Sequence, residues 1–437
     1  MVHDLLRVVL MRAATCAVTL GLTLGVACSS TPAPDYGELA CFDVWPDAPA
    51  PVAPKASLPT TPAVAWQTPL LTAIALDDYR GIALSGDRVI TTAGASVVAL
   101  DRATGAQVFS KPLESQQGLV SLGPPTVDEK GEILVQSPDA VTTLSPDGTV
   151  LSTSGPSGQW SSGGDGPGVG TGFPLALVGS EILAFSTVDQ EAVDPVGAVL
   201  WSSKLSAFLS MGHFGFGFDE AASYVVDLRT GAPAGRLRAA NGRDVWVRAL
   251  LAGRGPVAIE LGSNDAVSVV GFDTCGKEAW TTPIPDGCVA GHGVGFGVVG
   301  PGEIMYFGSG SCGDPAVAYV VGIDPSGRIV GGPVDAGFPW AVGADGTVYT
   351  ISGSESNTTL NALSPKLAPL WTLAIDARSL GRGLALADDG LLYARVQTQR
   401  GDETILAVQT TSPGLAASSW PTSLHDNRAS NWGGGSF

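Results

Sequence analysis

Residues Gly86 to Ser110 read GDRVITTAGASVVALDRATGAQVFS, and this stretch decides the fold. A Gly-Asp pair opens it, an apolar run follows, and Gly94 closes that run with a tight turn. A second apolar run ends at Asp101. The turn Asp101-Arg-Ala-Thr-Gly105 then leads into Gln107 to Ser110. β-Branched residues fill the runs, where a pleated, half-buried surface accepts them. Gly and Asp fill the gaps, where left-handed backbone and side-chain-to-backbone hydrogen bonds make turns. The pattern is a set of short antiparallel strands joined by hairpins.

The same unit recurs with drift along the chain. Clear copies are EILVQSPDAVTTLSPDGTVLS, AVSVVGFDTCGKEAWTTPI, AVAYVVGIDPSGRIVGGPV, GTVYTISGSESNTTLNALSPKLAPLWTL and GLLYARVQTQRGDETILAVQTTSPG. EILAFSTVDQEAVDPVGAVLWSS and ASYVVDLRTGAPAGRL are more degraded. The turns expected between third and fourth strands fall at Gly105, Gly148, Gly197, Gly231, Gly276, Gly327, Leu367 and Gly414. Their mean spacing is about 44 residues, the period of a four-stranded propeller blade. One blade cannot bury both faces of its own sheet, so neighbours stacked about an axis supply the core. The expected fold is therefore all-β: an eight-bladed β-propeller of four-stranded antiparallel blades, with seven blades as the alternative. Two sandwiches would lack a fixed long period. Residues 63–70, with Trp66 placed like Trp201, Trp280 and Trp371, read as an outer strand without its own blade. It is expected to pair with the last blade and close the ring.

Composition agrees with this reading. The 58 Gly and 31 Pro disfavour long helices, while 44% hydrophobic and only 15% charged residues exclude a disordered chain. The formal charge of −18 repels phosphate backbones, so nucleic acid is excluded as an expected partner.

The turns Ala99-Leu-Asp-Arg-Ala-Thr-Gly105, Gly322-Ile-Asp-Pro-Ser-Gly327 and Gly271-Phe-Asp-Thr-Cys-Gly276, with Trp280 four residues on, resemble the quinoprotein-like (PQQ-type) propeller repeat family. The segment Ser419-Trp-Pro-Thr-Ser-Leu-His-Asp-Asn-Arg428 resembles that family's Trp-Pro…Asp-Asn-Arg segment. Coverage runs from about residue 63 to 432. In fold, size class and anchoring, the chain also resembles the propeller lipoproteins of the bacterial barrel-assembly machinery, which bind partners through loops on one face.

Three regions are expected: a signal peptide at 1–27, a lipidated Cys28 with a Pro-rich linker to 62, and the propeller at 63–437. Arg7 and Arg12 precede the apolar run AATCAVTLGLTLGVA, which has a secretory pattern. Leu24-Gly25-Val26-Ala27-Cys28-Ser29 resembles a lipobox, with Gly25 where that family has an aliphatic residue. An ordinary signal peptide cut nearby is the alternative. The linker carries eight prolines between Pro32 and Pro62 and reads as a semi-rigid spacer. Cys41, Phe42 and Trp45 interrupt it and are expected to dock back on the body. Four cysteines remain after Cys28, and an exported chain with an even number is expected to bridge them. In an up-and-down blade Cys288, before a first strand, and Cys312, in the next second-to-third turn, lie on one face and should pair. Cys275, in a third-to-fourth turn on the other face, is left for Cys41.

Catalytic chemistry is not visible. The quinone-dependent enzymes of the resembled family use a vicinal Cys pair, a Trp platform and an Asp–Glu–Asn calcium set, none of which stands out here. His213 sits in Met211-Gly-His-Phe-Gly-Phe-Gly-Phe218, an inner-strand-like segment, and His213, His292 and His425 share no short metal-binding spacing. The Asp-x-x-x-Gly turns lack the alternating oxygens of a calcium loop and read as self-bonded turns. The Gly-rich run Gly163–Gly170 has no following Lys-Ser/Thr and reads as an inter-blade loop. Trp160, Trp246 and Trp340 read as blade caps. No catalytic, cofactor-binding or metal site is assigned, and no cofactor. The expectation is a non-enzymatic, monomeric lipoprotein of the bacterial cell envelope, at the outer membrane. It binds a protein or peptide partner on a propeller face and meets the membrane through its lipid alone. The alternatives are a quinoprotein-like or polysaccharide-acting enzyme, and a surface adhesive or carbohydrate-binding lipoprotein.

Overall fold

The computed structural model describes Leu39, Cys41, Phe42 and residues 61–418. Within the last span, 71–80, 114–121, 138–139, 155–175, 179–180, 186–189, 194–198, 204–206, 212, 219–222, 262–266, 285–296, 310–318, 355–356 and 378 are not described. The described residues belong to a compact unit spanning Gly37–Phe437.

The strands form eight four-stranded antiparallel sheets. Seven are built from four consecutive strands and cover 82–112, 126–154, 176–203, 207–236, 245–283, 298–335 and 338–375. The eighth joins the three strands of 379–409 to Ala63–Leu70. Ala63 opposes Gln409 and Leu70 opposes Glu403, with one irregularity between Val64 and Trp66. First strands touch those of the next sheet between sheets one and two and from sheet four through sheet eight. The first strand of sheet eight also touches that of sheet one. This radial stacking of antiparallel four-stranded sheets is a β-propeller.

Burial follows strand order. Second and third strands are covered on both faces: Val141–Leu144 and Leu391–Gln397 are buried throughout. Fourth strands alternate, as in Glu278–Pro283 and Pro369–Ile375, with one face on the body and one in water. Among the described residues, Val64, Val108, Val150, Leu151, Leu200 and Leu370 are the exposed large apolar residues of these rim strands.

Two sequence expectations need correction. Gly414 does not lead into a fourth strand, because the eighth sheet takes that strand from Ala63–Leu70. The chain after Gln409 instead crosses the ends of earlier first strands. Leu415 bridges Gly343, the Ala416 amide donates to Val342 O at 2.8 Å, and the Ser418 hydroxyl donates to Val299 O at 2.5 Å. His213 is not on an inner strand but in the turn between Ala207–Met211 and Phe214–Phe218, buried against the Phe214 ring at 4.1 Å.

Candidate functional site

Antiparallel order puts the first-to-second and third-to-fourth turns of every sheet at one end, and the other connections at the opposite end. The first of these faces, the turn face, is made of tight turns that bond to themselves. The Asp101 carboxylate accepts from Thr104 N (2.8 Å) and Thr104 Oγ1 (2.6 Å). Asp273 accepts from Cys275 N and Lys277 N, and Asp324 from Ser326 N and Arg328 N, at 2.8–3.0 Å. The Thr104 hydroxyl bond holds the Asp101 carboxyl below its ordinary range, and the Ser145 hydroxyl does the same at Asp147. These carboxylates serve their own backbones, as the sequence reading expects. Among the described residues, no group of three or more His, Cys, Asp or Glu could hold a metal ion.

The turn face is also knitted from sheet to sheet. At four junctions, a residue four positions after a third-to-fourth turn residue, or its equivalent on Ala63–Leu70, has a side chain that meets the corresponding turn of the next sheet. Phe109 covers Gly148, where a Cβ would lie 2.9 Å from the ring. Trp201 covers Gly231 and donates to Leu228 O at 2.8 Å. Trp280 covers Gly327 and donates to Pro325 O at 3.1 Å. On the closing strand, Trp66 covers Gly105 and donates to Arg102 O at 3.1 Å. Only Gly admits an aromatic ring this close to a left-handed turn. Between sheets six and seven the arrangement is inverted. Gly331 holds the key position, and Leu367, buried at φ 63°, supplies the side chain from the turn.

A second set of residues reaches across the same junctions. Tyr306 donates to Pro365 O at 3.0 Å. Tyr349 donates to Ser412 Oγ at 2.6 Å, which donates on to Asp345 Oδ1 at 2.7 Å. Tyr393 donates to Arg102 O at 3.0 Å. Burial raises all three hydroxyls, Tyr306 and Tyr349 to about 12. Sequence reading missed this set, although the three tyrosines recur at the repeat period. Arg102 also binds Asp388 and Asp389 at 3.1 and 2.9 Å. Deeper in the closing junction, buried Arg395 pairs with buried Glu403 and donates to Thr92 O at 2.6 Å and Thr91 Oγ1 at 3.2 Å.

At the opposite end the described strand ends that the chain joins lie further apart in sequence, as from Pro112 to Thr126, Pro283 to Val298 and Ser309 to Tyr319. The turn-face links, by contrast, are short throughout.

Of the residues singled out in the sequence, Cys41 and Cys275 are joined by a disulfide. Cys28, Cys288, Cys312, His292, His425, Trp160 and Gly163–Gly170 lie outside the described residues. Trp246 and Trp340 sit half-buried on the first strands of sheets five and seven.

The fold thus defines the class: an all-β propeller whose blades are keyed together on one face and carry long connections on the other. Within that class the chain resembles the PQQ-like propellers: the family model described as outer membrane protein assembly factor BamB matches residues 55–271, just under half of the chain. BamB from Moraxella catarrhalis is similar in structure at 12% identity and a TM-score of 0.50, covering 79% of this chain and 100% of that one. The C-terminal WD40 domain of Sif2 is similar at 8% identity and a TM-score of 0.51, covering 78% and 98%. At such identities the likeness is one of fold. The curated proteins contain no match.

Proposed function

We propose that the chain is a non-enzymatic, lipid-anchored scaffold of the bacterial cell envelope. Its eight sheets are the blades of one closed ring, acylated Cys28 ties it to the outer membrane, and a protein partner binds the face of long connections. The observation that carries this reading is the asymmetry of the two faces. On the turn face, side chains and carbonyls are consumed by junction contacts, and the C-terminal segment lies across part of it. The other face has the length and variety of connections from which a fold builds recognition surfaces. The resemblance to BamB supports a protein partner and an outer-membrane setting. The exposed rim valines and leucines among the described residues lie on five of the eight sheets.

The test is photo-crosslinking in intact cells from positions Ala95 and Arg400 on the long-connection face and Lys130 and Lys366 on the turn face. A protein adduct from the first pair and none from the second is expected. Adducts from the turn face alone would refute the face assignment. A reducible quinone bound with calcium to the purified chain would refute the scaffold.

A further inference from the structure

The junction between sheets four and five has no aromatic key of its own. Between sheets four and five the position four residues after Gly231 is Gly235, paired with Val225 as Trp280 is paired with Gly271 one sheet later. No aromatic ring from sheet four therefore covers Gly276. Leu39, from the N-terminal segment, takes that place. A Cβ on Gly235 would lie 2.6 Å from Leu39 Cα, and one on Gly276 would meet the Leu39 side chain. Phe42, 6% exposed, packs edge-on against Phe214 at 4.7 Å and Phe216 at 5.7 Å. Its amide donates to Thr274 O at 2.7 Å, beside the Cys41–Cys275 bond.

We propose that Leu39 to Phe42 is a strap that replaces the missing key of sheet four, and that the Cys41–Cys275 bond makes this junction the point where the ring is held by its N-terminal leader. At Gly105, Gly148, Gly231 and Gly327 a Trp or Phe fixed in a strand fills the notch. Here Leu39, Cys41 and Phe42 fill it from the N-terminal segment, held by the Leu39 and Phe42 side chains, the Phe42 amide bond and the crosslink. The junction is complete only where thiols are oxidised, so ring completion is coupled to export. Opening it is balanced by a small dithiol, which forms its cyclic disulfide while Cys41 and Cys275 each gain one electron and one proton.

The consequence for reach rests on the acylated Cys28 of the proposed function. With the strap closed, the leader spans 28 to 41, roughly 45 Å at full extension; released, it spans 28 to 63, roughly 120 Å. The bond therefore sets how far the ring stands from its anchor.

Two measurements test this on the full mature chain. Hydrogen exchange of the oxidised protein is compared with the dithiothreitol-reduced protein and with Cys41→Ser. Exchange at Phe42, Phe272 and Tyr224 should rise about tenfold or more in both altered forms, with sheets one and eight unchanged. Phe42→Ala with the disulfide intact should give a smaller rise at the same amides. Unchanged protection of sheets four and five in Cys41→Ser would overturn the strap. Neutron reflectivity of the acylated chain on a phosphatidylethanolamine–phosphatidylglycerol bilayer then reads the leash. The ring layer should move outward and broaden on reduction, and a fixed height would overturn the control of reach. A mature N-terminus without acyl chains would sink the anchor and the reach together, yet leave the exchange result standing.

Discussion

Trp66 and Tyr393 bond the same atom, the carbonyl oxygen of Arg102, over 3.1 and 3.0 Å. Both belong to the eighth sheet, one from each end of the chain, and Arg102 belongs to the first. The two rings lie 5.7 Å apart, so the closing junction is a single packed unit rather than two separate contacts. Trp66→Ala removes a half-buried indole and one hydrogen bond and should cost about 2–4 kcal/mol. Tyr393→Phe removes only the hydroxyl bond and should cost about 1 kcal/mol. Urea denaturation midpoints measure both. Equal effects would show that the shared carbonyl, and not the indole packing, dominates the junction.

Arg395 and Glu403 are each 2% exposed and pair inside the eighth sheet while Arg395 reaches Thr92 of the first. Removing one partner leaves a charge in a dry setting. Arg395→Met should therefore cost roughly 3–5 kcal/mol, and adding Glu403→Leu should recover much of it. A double-mutant cycle in guanidinium gives the coupling. A double variant no more stable than Arg395→Met would contradict this.

Stability should fall at both ends of the pH scale for different reasons. Asp101 and Asp147 have carboxyls held below the ordinary range by hydroxyl donors, so their contribution is present above the unfolded carboxylate value and lost as pH falls through the folded one. The melting temperature should drop below about pH 4, and Asp101→Asn should flatten that slope. Tyr306 and Tyr349 are raised to about 12 by burial. Their neutral form is favoured in the fold, so their share is full below about pH 10 and lost as pH rises toward 12. Tyr306→Phe should lower stability at neutral pH and weaken the alkaline slope. Melting curves from pH 2 to 12 check both limbs.

How much of this was legible in the sequence depended on whether a role is local. The Asp-x-x-x-Gly turn encodes its own geometry within five residues, and the turns and strands could be placed from it. Trp66 was readable because its partners Trp201, Trp280 and Trp371 set the expectation. Gly414 misled because it copies a turn residue at a point where the next strand comes from the other end of the chain. His213 looked like a strand residue because the aromatic alternation after it begins one residue later. Arg395 was hidden inside an apolar run and Glu403 in the polar turn Arg400-Gly-Asp-Glu-Thr404, and which charge faces which neighbour is a property of assembled sheets. The vacancy at Gly235 was visible in principle as a glycine where the repeat places an aromatic, but what fills it lies almost two hundred residues away.

The strand Ala63–Leu70 is made well over three hundred residues before its partner Glu403–Gln409. Loop-closure entropy grows only slowly with length, so the pairing is affordable at equilibrium, yet contacts this distant form late. Any polypeptide cut short carries a naked edge at its beginning with nothing to receive it, and naked edges are where chains aggregate or are degraded. The molecule in effect proofreads its own synthesis: only a chain made as far as Gln409 can cover the edge of Ala63–Leu70.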